Sequence, residues 1–216
     1  MENYNMIIEK FKYSYLKNGL IEEDINKFFR KASDSDLEYL TDLFKTYSFS
    51  SQFYSEDDLE NLKILTVPKK VIAFYKENEP QNMPILKSSV RLLSLNSIRD
   101  ENSSGEPSMY LVKYGIIAIA TTIGGNVICL DINELNDDEP RVLIVENQFC
   151  AYNDDLNCVE IISAPDDIVE EYDDDEPIEL TYKNIKRCVT EVAKTFSEFM
   201  YKLANDEYSN IEKMFL

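Results

Sequence analysis

Histidine is absent from this chain, and so is tryptophan. The first absence carries the greater weight. Without an imidazole, the Ser-His-Asp and Cys-His mechanisms, histidine general bases and most zinc or iron sites are excluded together. Glycine (5) and proline (7) are scarce, which argues against a repetitive all-β or low-complexity chain. The four cysteines, Cys129, Cys150, Cys158 and Cys188, lie 21, 8 and 30 positions apart. No CxxC pair exists to build a zinc ribbon or a thioredoxin-type redox site, so they read as small buried hydrophobes in a reducing compartment. The longest clean apolar run, Ile116–Ala120, is far short of the ~20 residues that span a bilayer. Met1–Met6 lacks the basic and apolar regions of a signal peptide, so the expected location is cytoplasmic.

What is present is a core. Of 216 residues, 44% are apolar, and 14 tyrosines with 11 phenylalanines carry the aromatic load. That suffices for one good-sized domain without disulfides or a structural metal. Negative charge is the other abundance. The net charge is -19 and unevenly placed: residues 1–100 hold 16 acidic and 14 basic side chains, residues 101–216 hold 25 and 8. Between Arg141 and Lys183 no Lys or Arg occurs, while 13 Asp and Glu accumulate.

The densest stretch is Asp166, Asp167, Glu170, Glu171, Tyr172, Asp173, Asp174, Asp175 and Glu176, with Ile168 and Val169 between. Such a cluster repels nucleic acid and anionic membrane and attracts a basic partner. Interleaved apolar and aromatic anchors favour a binding surface over a merely solvated loop, the bland alternative. Calcium is not supported, because no glycine lies near Asp173–Glu176 and Pro177 follows. No metal and no cofactor are expected.

Periodicity predicts helices first and strands later. Ile7, Ile8, Phe11, Tyr15 and Leu16 share a helical face that Asn18-Gly19 ends. A second helix is expected from Glu22 through Ile25, Phe28 and Phe29. A capping box at Ser35 and Glu38 opens a third, with Leu37, Leu40, Phe44 and Tyr47 on one face. Ser48–Asp58 reads as loop, and Pro68 starts a helix packed through Val71, Ile72, Phe74 and Tyr75. The period then shortens to 2. Val90–Leu95, Tyr110–Thr121, Asn126–Ile132 and Arg141–Val145 read as antiparallel strands, with Gly124-Gly125 at a hairpin turn and Cys158–Ile162 as an edge strand. Ser97–Ser108 reads as a loop or short helix. Val189, Val192, Ala193, Phe196, Phe199, Met200 and Leu203 form an apolar stripe that predicts one long C-terminal helix. The expected fold is α+β: a single antiparallel sheet flanked by helices, with an N-terminal helical extension (1–57) on a domain of 58–216 and a C-terminal amphipathic helix.

Three segments in this order resemble the SUKH superfamily. A helix start at Leu65-Thr66-Val67-Pro68 comes first. An apolar strand, the turn Gly124-Gly125-Asn126 and a strand ending at Asp131 follow. Last comes a helix carrying Ala193, Phe196, Phe199 and Met200. The family usually has Gly-Asp where this chain has Gly125-Asn126. The resemblance spans about Asp58 to Leu203. It implies a sheet covered by helices, no catalysis, and structural roles for Pro68, Gly124, Gly125, Asn126, Asp131, Phe196 and Phe199. It also implies kinship with bacterial toxin-immunity proteins and fungal regulators of cell-wall glucan synthesis. The function expected is a protein that neutralises a basic toxin, a nuclease among the candidates, through its acidic surface. The alternative is a regulatory scaffold of the cell-wall type, held by its sheet face. Asp131 and Glu146 are the only carboxylates worth testing as a catalytic pair, and no phosphate-cradling GxGxxG or Walker motif is present.

Overall fold

The computed structural model describes residues 4–41, 54–173 and 176–215. Helix α1 (Tyr4–Lys17) is followed by the single turn α2 (Glu22–Ile25), strand β1 (Phe29–Arg30) and α3 (Asp34–Thr41). Next come α4 (Glu56–Ile64), α5 (Lys69–Glu77), β2 (Glu79–Pro80), β3 (Val90–Leu92), α6 (Leu95–Ser104) and α7 (Ser108–Leu111). The central strands are β4 (Ile116–Thr122), β5 (Val127–Asn136) and β6 (Glu139–Val145). A ribbon of β7 (Cys150–Asn153) and β8 (Cys158–Ile161) leads to the one-turn α8 (Asp166–Val169), α9 (Tyr182–Cys188), β9 (Thr190–Ala193) and α10 (Phe196–Ala204).

The main sheet is antiparallel throughout, in the order β3-β4-β5-β6-β9. Its central strands are apolar on both faces, so each face needs a cover. Ile117, Ile119, Ile128, Leu130, Val142 and Ile144 face a core shared with α1, α5 and α10. Ile116, Ala118, Val127, Cys129, Leu143 and Val145 face a second core closed by α7, α9 and the β7–β8 ribbon. Each large side chain fully buried there stabilises the fold by ~1.5–3 kcal/mol. The N-terminal helix belongs to the first core: Ile7, Ile8, Phe11 and Tyr15 are buried, and Ser14 Oγ donates to the Ala204 carbonyl at 2.7 Å. The expected α+β class, with its antiparallel sheet between helices, is the architecture found.

Several boundaries differ from the sequence expectation, each for a local reason. The third helix is capped two residues earlier, by Ser33 and Asp36, whose side chains each accept the other's backbone N–H. Phe44 and Tyr47 lie outside the described residues. Residues 56–58, expected as loop, start α4, where Ser55 and Asp58 form the same reciprocal box. The second helix stops at Ile25, because Phe29 and Arg30 pair with Pro80 and Glu79. Tyr110 to Tyr114 are helical rather than extended, and Gly115 at φ 73° turns the chain into β4. Cys158–Ile161 pairs with β7 and not with the main sheet.

The largest difference is at the C-terminus. The apolar stripe from Val189 is half strand: Thr190–Ala193 pairs with β6, and α10 begins only after Thr195. Thr195 Oγ1 accepts the Glu198 N–H at 3.1 Å, a cap that no helix interior would carry. Val189, Val192 and Ala193 matched the helical spacing by coincidence, and β-branching with the Thr cap decided for the strand.

Candidate functional site

The acidic segment is a loop with a fixed base. At its two ends, backbone N–H groups of Ile161 and Leu180 reach the carbonyls of Ile178 and Val159, at 2.8 and 3.3 Å. Pro165 opens α8 in an extended conformation, and Ile168 plugs the second core at 1% exposure. The Tyr172 hydroxyl accepts from Asn184 Nδ2 at 3.0 Å, and the same amide donates to the Glu179 carbonyl at 2.9 Å. Arg187 clamps Glu171 with two hydrogen bonds, Nη1 to Oε2 at 2.8 Å and Nη2 to Oε1 at 2.5 Å. These bonds hold the Glu171 carboxyl below the usual carboxylate range and push the Arg187 guanidinium up.

The backbone is thus anchored from inside while the acids face out. Asp166, Asp167, Glu170, Glu171, Asp173 and Glu176 are exposed, and Tyr172 is half-buried. Asp174 and Asp175 lie outside the described residues. Of the exposed six, only Glu171 has an ion pair among the described residues. Ile168 was expected as a contact for a partner, but it is spent on the core; Val169 remains exposed. Arg187 and Asn184, which organise the segment, lie in α9, a stretch for which the sequence pattern predicts no element.

The residues singled out by the resemblance are dispersed through the fold. Pro68 sits at the start of α5, its carbonyl accepting from Val71 and Ile72. Phe196 and Phe199 are fully buried, Phe196 edge-on to Phe74 at 5.4 Å. In the β4–β5 turn, Gly125 adopts φ 88°, where an L side chain is strained. The Gly124 N–H donates to Glu212 at 2.5 Å, and a Cβ on Gly124 would collide with that carboxylate unless the Glu212 side chain moved. Asn126 accepts the Asn147 N–H at 3.0 Å.

Asp131 has no exposed surface and cannot act on a substrate from outside. Its Oδ2 accepts from Arg141 Nη2 at 2.7 Å, Arg141 Nε at 3.0 Å and the Tyr182 hydroxyl at 2.9 Å, and Oδ1 accepts the Asn133 N–H at 3.1 Å. Burial and the hydrogen bond to Asp131 push the Tyr182 hydroxyl well above its usual range. Glu146 is five residues beyond Arg141, the partner of Asp131, and so about 16 Å away along the sheet. Paired glycosidase carboxylates stand about 5–9.5 Å apart, so these two are not brought together.

Two more buried carboxylates escaped the sequence reading. Glu79 accepts from Arg30 Nε at 2.7 Å and from the Leu95 N–H at 3.2 Å. Glu139 accepts the Ser197 N–H at 2.6 Å, the Ser197 hydroxyl at 2.9 Å and Lys70 Nζ at 3.1 Å, fixing the start of α10 to β6. Among the described residues, no group of three or more His, Cys, Asp or Glu is placed to hold a metal ion. Among the same residues, no helix is long and apolar enough to cross a membrane. The four thiols are free; Cys129 and Cys150 are buried, whereas Cys158 and Cys188 are only half so. Burial pushes the Cys150 thiol up to about 12.

No curated protein matches the chain. Residues 11–202 match the family model described as SMI1 / KNR4 family (SUKH-1), so the match starts inside α1 and ends inside α10. With nearly the whole chain covered, the protein belongs to the SMI1 / KNR4 (SUKH-1) family of the SUKH superfamily, membership that supports a role in protein interaction.

Proposed function

We propose that the protein is an immunity-type inhibitor that binds a basic toxin domain through the acidic loop of residues 166–176. The observation that carries this reading is the contrast within the loop itself. Its backbone is anchored by Ile168, Tyr172 and the Glu171–Arg187 pair, while Asp166, Asp167, Glu170, Asp173 and Glu176 stay exposed and make no ion pair among the described residues. An ordered, single-sign surface raises the encounter rate with a basic partner by roughly 10- to 1000-fold, and salt removes the advantage. A nucleic-acid-binding cleft offers such a partner surface, which fits a nuclease toxin. The reading implies action in the compartment where the toxin is made, the cytoplasm, and no catalytic step.

The test uses the toxin domain encoded by a neighbouring reading frame. Changing Asp166, Asp167, Glu170, Asp173 and Glu176 to Ser together should abolish toxin inhibition and flatten the salt dependence of association. Undiminished inhibition by that variant would remove the acidic loop from the mechanism. The regulatory alternative assigned the contact to a sheet face. Both faces of the main sheet are covered, so a regulator of this fold would have to use another surface.

A further inference from the structure

A groove of about 340 Å³ opens at the root of the acidic loop. Three connections meet there: the turn after β6, the link from β8 to α8, and the link from α9 to β9. Its walls include Glu146, Ser163, Pro165, Cys188, Val189 and Thr190. Two polar groups on these walls have no side-chain partner among the described residues. The half-buried Glu146 carboxylate has no ion pair or hydrogen bond among the described residues. Ser163 Oγ is buried and likewise lacks a hydrogen-bond partner. A buried hydroxyl in this state costs free energy unless something arrives to use it. The nearest cation along the chain, Arg187, is already committed to Glu171.

We infer that this groove is the specificity socket of the acidic face, taking one arginine side chain of the basic partner protein. The inference rests on the basic-partner reading above and adds a point contact to its diffuse field. Apolar surface from Pro165 and Val189 suits the arginine stem. Glu146 supplies the carboxylate that a guanidinium grips in bidentate fashion, and the Ser163 hydroxyl, on the same wall, is left to accept a remaining N–H. Arginine fits better than lysine because its head is planar and weakly hydrated. The exposed acids at the rim then steer, and the socket selects.

The experiment is an NMR titration of the ¹⁵N-labelled full chain with an acetylated, amidated Gly-Ser-Arg-Ser-Gly peptide, with citrulline replacing arginine in the control. Amide shifts should centre on residues 146, 163 and 188–190 and vanish with citrulline. Glu146→Gln should weaken binding about tenfold. Ser163→Ala, which leaves the charge in place, should weaken it several-fold and serves if the first variant fails to fold. Wild-type affinity in both variants, with shifts confined to 166–173, overturns the socket and leaves the acidic-loop reading intact. Equal binding of the citrulline peptide, or no shifts at millimolar peptide, also overturns it. Loss of toxin inhibition in Glu146→Gln while the five-serine loop variant inhibits normally would sustain the socket and sink the loop.

Discussion

Glu79, Asp131 and Glu139 are at most 2% exposed, whereas Asp166, Asp167, Glu170, Asp173 and Glu176 stand in solvent. The two groups are the same chemistry in opposite settings. Each buried carboxylate meets a cation and at least one further donor: Arg30 and the Leu95 N–H, Arg141 with Tyr182, Lys70 with Ser197. Each also ties elements far apart in sequence. The exposed group makes no ion pair among the described residues and sits on one loop. A buried charge is tolerated only with its partners in place, so the first group is bound to the fold's geometry. The second costs the fold only mutual repulsion, and what it contributes is a field that acts on other molecules.

The most severe way to break this comparison is to remove Asp131. Asp131→Ala leaves the largely buried Arg141 and the Tyr182 hydroxyl without their main acceptor, and should cost about 3–5 kcal/mol in urea unfolding. Replacing both charged partners, as Asp131→Leu with Arg141→Met, should recover most of that loss, since the pair's worth lies in not being broken. A cost below about 1 kcal/mol for the single change would show the buried group to be no different from the exposed one. Next in size is Glu139→Gln. It keeps one oxygen acceptor for Ser197 but removes the charge facing Lys70 and the N-terminus of α10, and should cost about 1–3 kcal/mol.

How much of this contrast could be read from the chain follows from the range of each interaction. The acidic loop was visible because its charges are consecutive. The helices α1 and α5 and the Gly124-Gly125 turn were visible for the same reason: their signals are local. Glu79 and Glu139 were not, because Leu95 and Ser197 reach them across 16 and 58 positions and no local pattern marks the pairing. Asp131 is legible as a strand end, but its partners Arg141 and Tyr182 come from β6 and α9. The strand β9 was lost to a helical coincidence that only pairing with β6 resolves. Asn102 is a further case: its side chain bonds both the N–H and the carbonyl of Ala118 at 2.9 Å, filling the bulge in β4, and a polar residue in a helix gives no hint of that.

A third class of carboxylate sharpens the comparison from the middle. Glu134, Glu171 and Glu198 are surface groups with a partner, held below the usual range first by hydrogen bonds from Lys186, Arg187 and Lys202. A depressed folded-state value means that their stabilisation is present above about pH 4.5 and is lost as pH falls through the folded values. Melting temperature should therefore decline on acidification below pH 4.5, and Lys186→Gln with Arg187→Gln should make that decline shallower. An identical acid limb in the double variant would place these pairs with the unpaired loop.

The smallest expected effect on stability belongs to the loop, and it is the most telling because it should be nearly nothing. Changing Asp166, Asp167, Glu170, Asp173 and Glu176 to Ser should shift the melting temperature by no more than about 2 °C, and upward rather than downward. No hydrogen bond or ion pair is lost among the described residues, Ile168 and Tyr172 keep their anchors, and five mutually repelling charges leave a chain of net charge -19. A drop of several degrees would mean that these acids are held by the fold, as Asp131 is. An unchanged or raised melting temperature alongside lost binding would instead separate their work from the fold's.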